Sequence, residues 1–544
     1  MLQRAETTAP EIDLSDALPL SRLMLRACRR ASGRVKLSDS TGDTLTGRQL
    51  LTKALVLRRL LLRDVLAPDE ERVGVLIPPA NGAAVVNAAL ALSKRVVVNL
   101  NYSASADVIN ACIKAAGLRH VLTTQKVLDK LGIELDTDVV LLDGLREKLT
   151  TIDKLAGATA AFAAPIGLLE KRLGLDTLSM DDLVTIIFTS GSTGVPKGVM
   201  LSHKNLVANI RSFDTAVRLR ADDTILGILP FFHAFGYTVT LWAPLVLELG
   251  AAYHFNPLDA RQVGKLCQRS GATILLSTPT FLRSFIKRVP VEDFASLELA
   301  IVGAEKLPMA VSEAFEKKFG VRPSEGYGAT ELAPVAAVNV PPSRSSGERP
   351  DSREGSIGPA LPGVSARVVD PDTRVVRAID EEGMLEIRGP NQMVGYLDQP
   401  EKTAEVVRDG WYVTGDIARI DADGFIHITG RQSRFSKIGG EMVPHVRVEE
   451  EIQSYVAGDD AEEQHAVVTA VPDERKGERL IVVHLPMDKS PAEVCEHLKS
   501  LGLPNLWTPS PDSFLQVDEL PLLGSGKLDL KGLAVVAAEH FGSK

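Results

Sequence analysis

Ten consecutive residues, Thr189-Ser190-Gly191-Ser192-Thr193-Gly194-Val195-Pro196-Lys197-Gly198, follow directly on the apolar run 183–188. The run predicts a buried strand, and the segment behind it predicts a tight loop at that strand's end. Three glycines let the backbone turn its N–H groups inward, and four hydroxyls and the Lys197 ammonium add side-chain donors. Donors gathered in this way suit anionic oxygens, which makes Thr189, Ser190, Gly191, Ser192, Thr193, Gly194 and Lys197 candidate phosphate-binding residues. A flexible linker has no use for a lysine and a proline at fixed places beside a buried strand. A Walker A loop needs Ser or Thr after its lysine, and Lys197 is followed by Gly198. A different nucleotide chemistry is implied.

The chain's 544 residues exceed what one hydrophobic core usually serves, so two or more domains are expected. A formal charge of −9 with no long Lys/Arg run argues against nucleic acid as a main partner, while leaving room for a local basic patch that meets an acidic carrier protein. Cys28, Cys112, Cys267 and Cys495 lie far apart without a Cys-x-x-Cys pair, which fits reduced thiols in a cytoplasm rather than a zinc ribbon or disulfide scaffold. Glu6, Glu11, Asp13 and Asp16 make the first thirty residues unlike a secretory signal. The apolar stretches 83–92 and 237–252 are too short to span a bilayer, or are broken by Glu248, and read as buried helices. The expectation is a soluble, cytoplasmic chain whose membrane contact is at most peripheral.

From about residue 20 to 183, helical patterns such as 47–62 alternate with β-branched runs at 73–77, 96–100 and 139–142, and the alternation continues through 224–229, 273–277 and 299–302. That is the punctuation of an α/β fold with parallel sheets and helical crossovers. From about residue 356 the rhythm changes to short strands, 366–369, 384–388 and 425–429, separated by Asp/Gly turns, and predicts an antiparallel region. Residues 340–355 are polar and turn-rich and read as a mobile surface loop, and Asp421-Ala422-Asp423-Gly424 reads as a hairpin turn. After Gly430-Arg431 a new α+β unit of about 110 residues is expected, with a helix over 446–455, strands at 466–471 and 480–485, and a C-terminal helix.

Three further motifs carry chemistry. In Glu325-Gly326-Tyr327-Gly328-Ala329-Thr330-Glu331, the ring suits a purine face, and Glu331 suits Mg²⁺, which is usually held by one or two carboxylates plus substrate phosphates. In Trp411-Tyr412-Val413-Thr414-Gly415-Asp416, a carboxylate follows a β-prone run and can accept from two ribose hydroxyls, with Arg431 fifteen residues on. In Pro521-Leu522-Leu523-Gly524-Ser525-Gly526-Lys527, flanking glycines suggest a loop able to insert a lysine into another domain's cleft and stabilise charge on a transferring phosphate.

Together and in this order, the four motifs resemble the adenylate-forming superfamily of acyl-CoA synthetases, peptide-synthetase adenylation domains and luciferases, over nearly the whole chain. The resemblance implies a large N-terminal domain (1–430) of two α/β subdomains plus a β-barrel-like one, and a small mobile α+β C-terminal domain (431–544). It implies that residues 189–198 bind phosphate, that Gly303, Ala304, Glu305 and Tyr327 line the adenine with Gly328 and Ala329 beside them, and that Glu325 accepts from the adenine amino group. Thr330 and Glu331 would handle the α-phosphate and Mg²⁺, Asp416 and Arg431 the ribose, and Lys527 the adenylation step. Asn101-Tyr102, the segment 434–443 and the segment 520–527 look most like the acyl-acyl-carrier-protein synthetase part of bifunctional 2-acylglycerophosphoethanolamine acyltransferases, of which only the ligase half is carried over. One departure stands out: many members have an acid two residues after the ribose-binding arginine, at the hinge between domains, and this chain has Ser433.

The reaction so implied has two halves. A carboxylate attacks the α-phosphate of ATP to give an acyl-adenylate and pyrophosphate, and a phosphopantetheine thiol then takes the acyl group. For the second half the small domain would swing, withdrawing Lys527 and bringing in Lys437, Gly439 and Gly440, whose glycines leave space for a narrow pantetheine arm. The cluster Pro230-Phe231-Phe232-His233-Ala234-Phe235-Gly236-Tyr237 lacks the aspartate that amino-acid-activating relatives carry there, so the expected acid is a fatty acid without an α-amino group, with His233 at its carboxylate or as a gate. Acyl carrier protein is the expected acceptor. The alternatives are a CoA ligase, with Arg434 and Arg447 meeting either a CoA phosphate or a carrier helix, and a catalytically silent nucleotide-binding regulatory protein.

Overall fold

The computed structural model describes the chain except residues 1–3, 9, 190–195, 346, 348–350, 432–433, 439–440, 458–463, 474, 502, 522–527 and 543–544. The alternating β-branched and helical runs assemble into two covered sheets. One has seven strands in the order Gly395–Tyr396, Lys197–Ser202, Leu183–Thr189, Val96–Asn99, Arg72–Val75, His120–Thr123 and Asp138–Leu141. It is parallel from Leu183–Thr189 to its far edge. The other has eight strands in the order Val335–Val338, Ser324–Gly328, Leu299–Val302, Ile274–Ser277, Thr224–Gly227, Gly250–Tyr253, Val35–Asp39 and Thr44–Thr46, parallel except at its two ends.

Helix Asn81–Leu92 is almost wholly buried, and the long helix Gly47–Asp64 packs against it. A capping box starts the long helix: Thr46 accepts from the Gln49 N–H, and the Gln49 side chain accepts from the Thr46 N–H. All four cysteines are free and buried, and burial pushes the Cys28 thiol up to about 12.

The third sheet is antiparallel throughout, as the Asp/Gly-punctuated region predicts. Glu6–Thr8, Ser365–Val369, Gly383–Arg388, Trp411–Ile420 and Val407–Arg408 follow one another, and Ile426–Arg431 pairs with Trp411–Ile420. The hairpin turn at 421–424 forms, with Asp421 accepting from the Asp423 and Phe425 N–H groups and Gly424 at φ +87°. The large N-terminal domain is followed by a smaller one containing the hairpin Phe435–Ile438/Glu441–Pro444, the sheet Ala466–Asp473, Gly477–His484, Phe514–Gln516, and the helices His445–Ala457, Pro491–Ser500 and Leu530–Phe541. Among the described residues no helix is long and apolar enough to cross a membrane.

Two expectations need correction. The stretch 237–252 is helical only as far as Val246, as a π-helical segment Gly236–Trp242 and a short helix Ala243–Val246, after which Gly250–Tyr253 enters the eight-stranded sheet. The mostly apolar residues on either side of Glu248 carry no period that separates a helix from a strand buried on both faces. The segment 340–355 lies at the surface over much of its described length, but it is pinned rather than loose at Arg344, which is buried. Its Nη1 and Nη2 donate to the two Asp223 oxygens at 2.9 and 2.7 Å, and Nη2 also reaches Glu298 at 3.0 Å.

Candidate active site

Lys197 stands at the start of its strand, directly opposite Thr189, so the hairpin register places the two ends of the expected phosphate loop side by side. Residues 190–195, with Ser190, Gly191, Ser192, Thr193 and Gly194, lie outside the described residues. The next strand over, Gly395–Tyr396, pairs with Met200 and Val199, and the Lys197 Nζ lies 5.2 Å from the centre of the Tyr396 ring.

The same tyrosine reaches the acidic motif. Glu331 sits on the single turn Thr330–Leu332, and its Oε1 accepts from the Tyr396 Oη at 2.7 Å while its backbone O accepts from the Met393 N–H at 2.8 Å. The turn can form because Gly328 carries no side chain: a Cβ there would lie 2.1 Å from the Pro334 carbonyl oxygen. Burial, together with the Glu331 charge, holds the Tyr396 phenol well above its ordinary value, so it remains a donor. Tyr412 is buried among these groups. Its phenol is raised first by burial and then by Glu331, Tyr396, Tyr327 and Asp416.

Across the cluster, Asp416 faces Arg431 in the antiparallel register, with Nε to Oδ1 at 2.9 Å, and its Oδ2 accepts from the Tyr327 Oη at 2.5 Å. Burial raises the Asp416 carboxyl above its usual range, and Arg431 and Tyr327 offset this only in part. Each carboxylate oxygen has a second lone-pair direction, so both can still accept a hydroxyl.

Glu325 lies opposite Val302 in the parallel register, accepts from the Leu307 N–H at 3.1 Å, and is raised by burial. Gly303 follows Val302 so closely beside this strand that a Cβ would lie 3.3 Å from the Gly326 carbonyl oxygen and 3.7 Å from the Phe235 ring. Ala304 adopts φ +70°, and Glu305 accepts from Thr280 at 2.9 Å. Phe235 thus brings the His233 segment beside Gly303. His233 itself is exposed, and its ring lies 4.5 Å from that of Phe232, which in turn makes an edge contact with Tyr102.

The fold therefore brings Thr189, Lys197, Thr330 and Glu331 together, joins Tyr327 to Asp416 and Arg431, and sets Gly303, Ala304 and Glu305 beside Glu325, with Gly328 and Ala329 continuing that strand into the turn. Lys527, Gly439, Gly440 and Ser433 lie outside the described residues, and Lys437 is placed only as part of the strand Phe435–Ile438.

Of the two basic residues expected to face an acceptor, Arg434 does not. It is buried inside the small domain and paired with Glu449, whose other oxygen accepts from the Val468 N–H. Arg447 is half-exposed but already faces Glu450 and Glu451. Tyr396 and Tyr412, central to the site, were not singled out by sequence reasoning. Gly395-Tyr396 lies between polar turns, and its one usable signal is a β-prone aromatic after a glycine.

The chain belongs to the AMP-binding enzyme family, whose profile matches residues 24–397. It is 28% identical over 502 residues to a long-chain-fatty-acid–CoA ligase of Bacillus subtilis, covering 86% of each chain. It is 32% identical over 359 residues to a feruloyl-CoA synthase of an Amycolatopsis species, covering 65% of this chain and 70% of that one. Among solved structures, ATP-bound MatB from Rhodopseudomonas palustris superposes with a TM-score of 0.76 at 26% identity, covering 96% of this chain and 99% of that one.

Proposed function

We propose that the protein activates a fatty acid with ATP to an acyl-adenylate, releasing pyrophosphate, and then transfers the acyl group to the thiol of CoA. The observation that carries this is the convergence of Lys197, Glu331 and the Asp416–Arg431 pair on one cluster, in a chain whose similar relatives are named as acid–CoA ligases.

In this reading Lys197 and the loop before it bind the phosphates, Tyr327 and Glu325 border the adenine beside Gly303, Ala304 and Glu305, and Asp416 and Arg431 hold the ribose. Mg²⁺ is usually held by one or two carboxylates plus the substrate's own phosphates, and Glu331 is the carboxylate beside Lys197 and Tyr396. Glu331 would hold Mg²⁺, which when bound neutralises charge on the phosphate oxygens. Lys527 donates to the oxygens that gain charge as the carboxylate attacks, and the small domain swings between the two half-reactions about the 431–434 junction. His233, beside Phe232 and two residues from Phe235, borders the acid, and no carboxylate stands in the segment 230–237 to pair an ammonium.

The internal pairing of Arg434 withdraws it from either acceptor, and CoA is taken as the acceptor because the similar relatives are named as CoA ligases. The segments 434–443 and 520–527, which resemble acyl-carrier-protein synthetases, make holo-acyl carrier protein the second acceptor in the test. Pyrophosphate exchange is measured over carboxylic acids of graded chain length, followed by thioester formation with each acceptor. Exchange stimulated by fatty acids and thioester formed with CoA support the proposal. Exchange driven only by amino acids overturns it, and thioester formed only on the carrier protein reassigns the acceptor.

Two predictions follow from the geometry. ATP hydroxyls stabilise the ionised Asp416, so ATP affinity falls as pH drops through the raised Asp416 value and is full above it. In Asp416→Asn that pH dependence disappears, and loss of charged hydrogen bonds, about 1.5–3 kcal/mol, raises the Kd for ATP roughly 10- to 150-fold, measurable by calorimetric titration. In Glu331→Gln, the Mg²⁺ concentration giving half-maximal pyrophosphate exchange rises by at least ~10- to 100-fold, the range for losing even an outer partner of a metal site.

A further inference from the structure

Two opposite charges converge on a single aromatic ring. The Tyr396 hydroxyl donates to Glu331 Oε1 at 2.7 Å, and the Lys197 ammonium sits over the Tyr396 ring at 5.2 Å. A lysine and a glutamate on flexible side chains in one pocket are drawn into a direct ion pair, and such a pair would withdraw the cation from phosphate and the carboxylate from a metal. The Tyr396 side chain engages both, occupying one Glu331 oxygen with a neutral donor and giving the ammonium its π face.

The backbone fixes the tyrosine in this place. Gly395 and Tyr396 pair with Met200 and Val199, on the strand that begins at Lys197. The Tyr396 N–H donates to Thr403 Oγ1 at 2.9 Å, and Thr403 Oγ1 in turn donates to the Gln399 carbonyl. Gly395 approaches the same threonine so closely that a Cβ would lie 3.1 Å from its methyl group, at φ +155°. Three residues earlier in the same segment, the Met393 N–H donates to the Glu331 backbone carbonyl. Glu331 is therefore gripped at main chain and side chain by one short segment that also reads the position of the phosphate-loop lysine.

We propose that Tyr396 is a positioning residue that aims the Glu331 carboxylate at the metal–phosphate site and keeps Lys197 off that carboxylate. The proposal rests on the reading of Glu331 as the Mg²⁺ ligand. Tyr396→Phe removes the hydroxyl and keeps the ring, so metal affinity falls while the ATP contact of Lys197 is retained.

The test is a Mn²⁺ titration followed by electron paramagnetic resonance, on the full chain with α,β-methylene-ATP, alongside ATP KM at saturating metal. Tyr396→Phe is expected to weaken Mn²⁺ binding about tenfold, within the range for losing an outer partner of a metal ligand, with ATP KM changed less than about threefold. In the Glu331→Gln background the tyrosine substitution is expected to add nothing further. Wild-type Mn²⁺ binding in Tyr396→Phe alongside weakened binding in Glu331→Gln overturns the positioning role alone. Wild-type binding in Glu331→Gln overturns the metal-ligand reading beneath it. Equal losses of metal and ATP affinity in Tyr396→Phe show a general collapse of the pocket and also overturn the proposal.

Discussion

A Lys527→Ala variant is expected to lose the first half-reaction and keep the second. Adenylation develops negative charge on the α-phosphate oxygens, and a single preorganised donor aimed at such charge is worth roughly 10²- to 10³-fold in rate. Thioester formation from a supplied acyl-adenylate transfers the acyl group away from phosphorus and needs no such donor at the phosphate. Pyrophosphate exchange should therefore fall by about 10²- to 10³-fold, while release of AMP from synthetic acyl-adenylate and CoA stays near the wild-type rate. Equal loss in both assays would remove the lysine from the specific role and, with it, the need for the small domain to swing. The assignment draws on the glycine-flanked loop of the sequence, because the residue lies outside the described part of the fold.

The second large effect concerns stability. Arg344 and Asp223 are both buried, joined by paired hydrogen bonds, and the arginine also donates to the Arg218 carbonyl at 3.0 Å. Asp223 is further engaged by the Arg220 N–H at 2.7 Å and the Thr273 hydroxyl at 2.8 Å. Burial alone would raise the carboxyl, but Arg344 and these donors outweigh it and hold Asp223 below its ordinary value. A depressed carboxyl contributes stability above the unfolded-state pKa, and that contribution is lost as pH falls through the folded value.

Arg344→Ala leaves the Asp223 charge buried without its main partner, a change that costs about 3–5 kcal/mol. The midpoint of chemical denaturation of the N-terminal domain should fall accordingly. The double variant Arg344→Met with Asp223→Asn, which removes both charges, should recover much of the loss. A single variant as stable as wild type would show that the pair does not tie the segment 340–355 to the sheet.

Arg344 also shows where the sequence stops being legible. Its neighbours, Pro-Pro-Ser before it and Ser-Ser-Gly-Glu after, carry every local sign of a solvated loop, and nothing nearby in the chain reveals that Asp223, 121 residues earlier, lies beside it. Long-range ion pairs leave no local pattern. The same holds for Tyr396, whose partners Lys197 and Glu331 come from two distant segments, and for Arg434, which sits among polar residues yet turns inward to Glu449.

What was legible followed from local rules. β-Branched runs bounded by Gly and Pro mark the parallel strands, Asp/Gly turns mark the antiparallel sheet, and the glycine-rich run marks the end of the strand Leu183–Thr189, whereas the returning strand that sets Lys197 against Thr189 has no such mark. The joint ribose role of Asp416 and Arg431 is implied by the family resemblance and not by their types and spacing, and the register places the two residues directly opposite each other. The reading of 237–252 as one helix fails because a mostly apolar stretch, here interrupted by Glu248, is compatible with both a helix and a strand covered on two faces.

The most direct test of acyl-adenylate chemistry in this pocket supplies the fatty acid with both carboxylate oxygens as ¹⁸O, together with ATP and CoA, and follows the label by mass spectrometry. Attack of the carboxylate on the α-phosphorus places one labelled oxygen on AMP and leaves the other in the thioester carbonyl, so AMP should carry one ¹⁸O and pyrophosphate none. Label in inorganic phosphate with formation of ADP, or thioester formed without labelled AMP, would contradict the account.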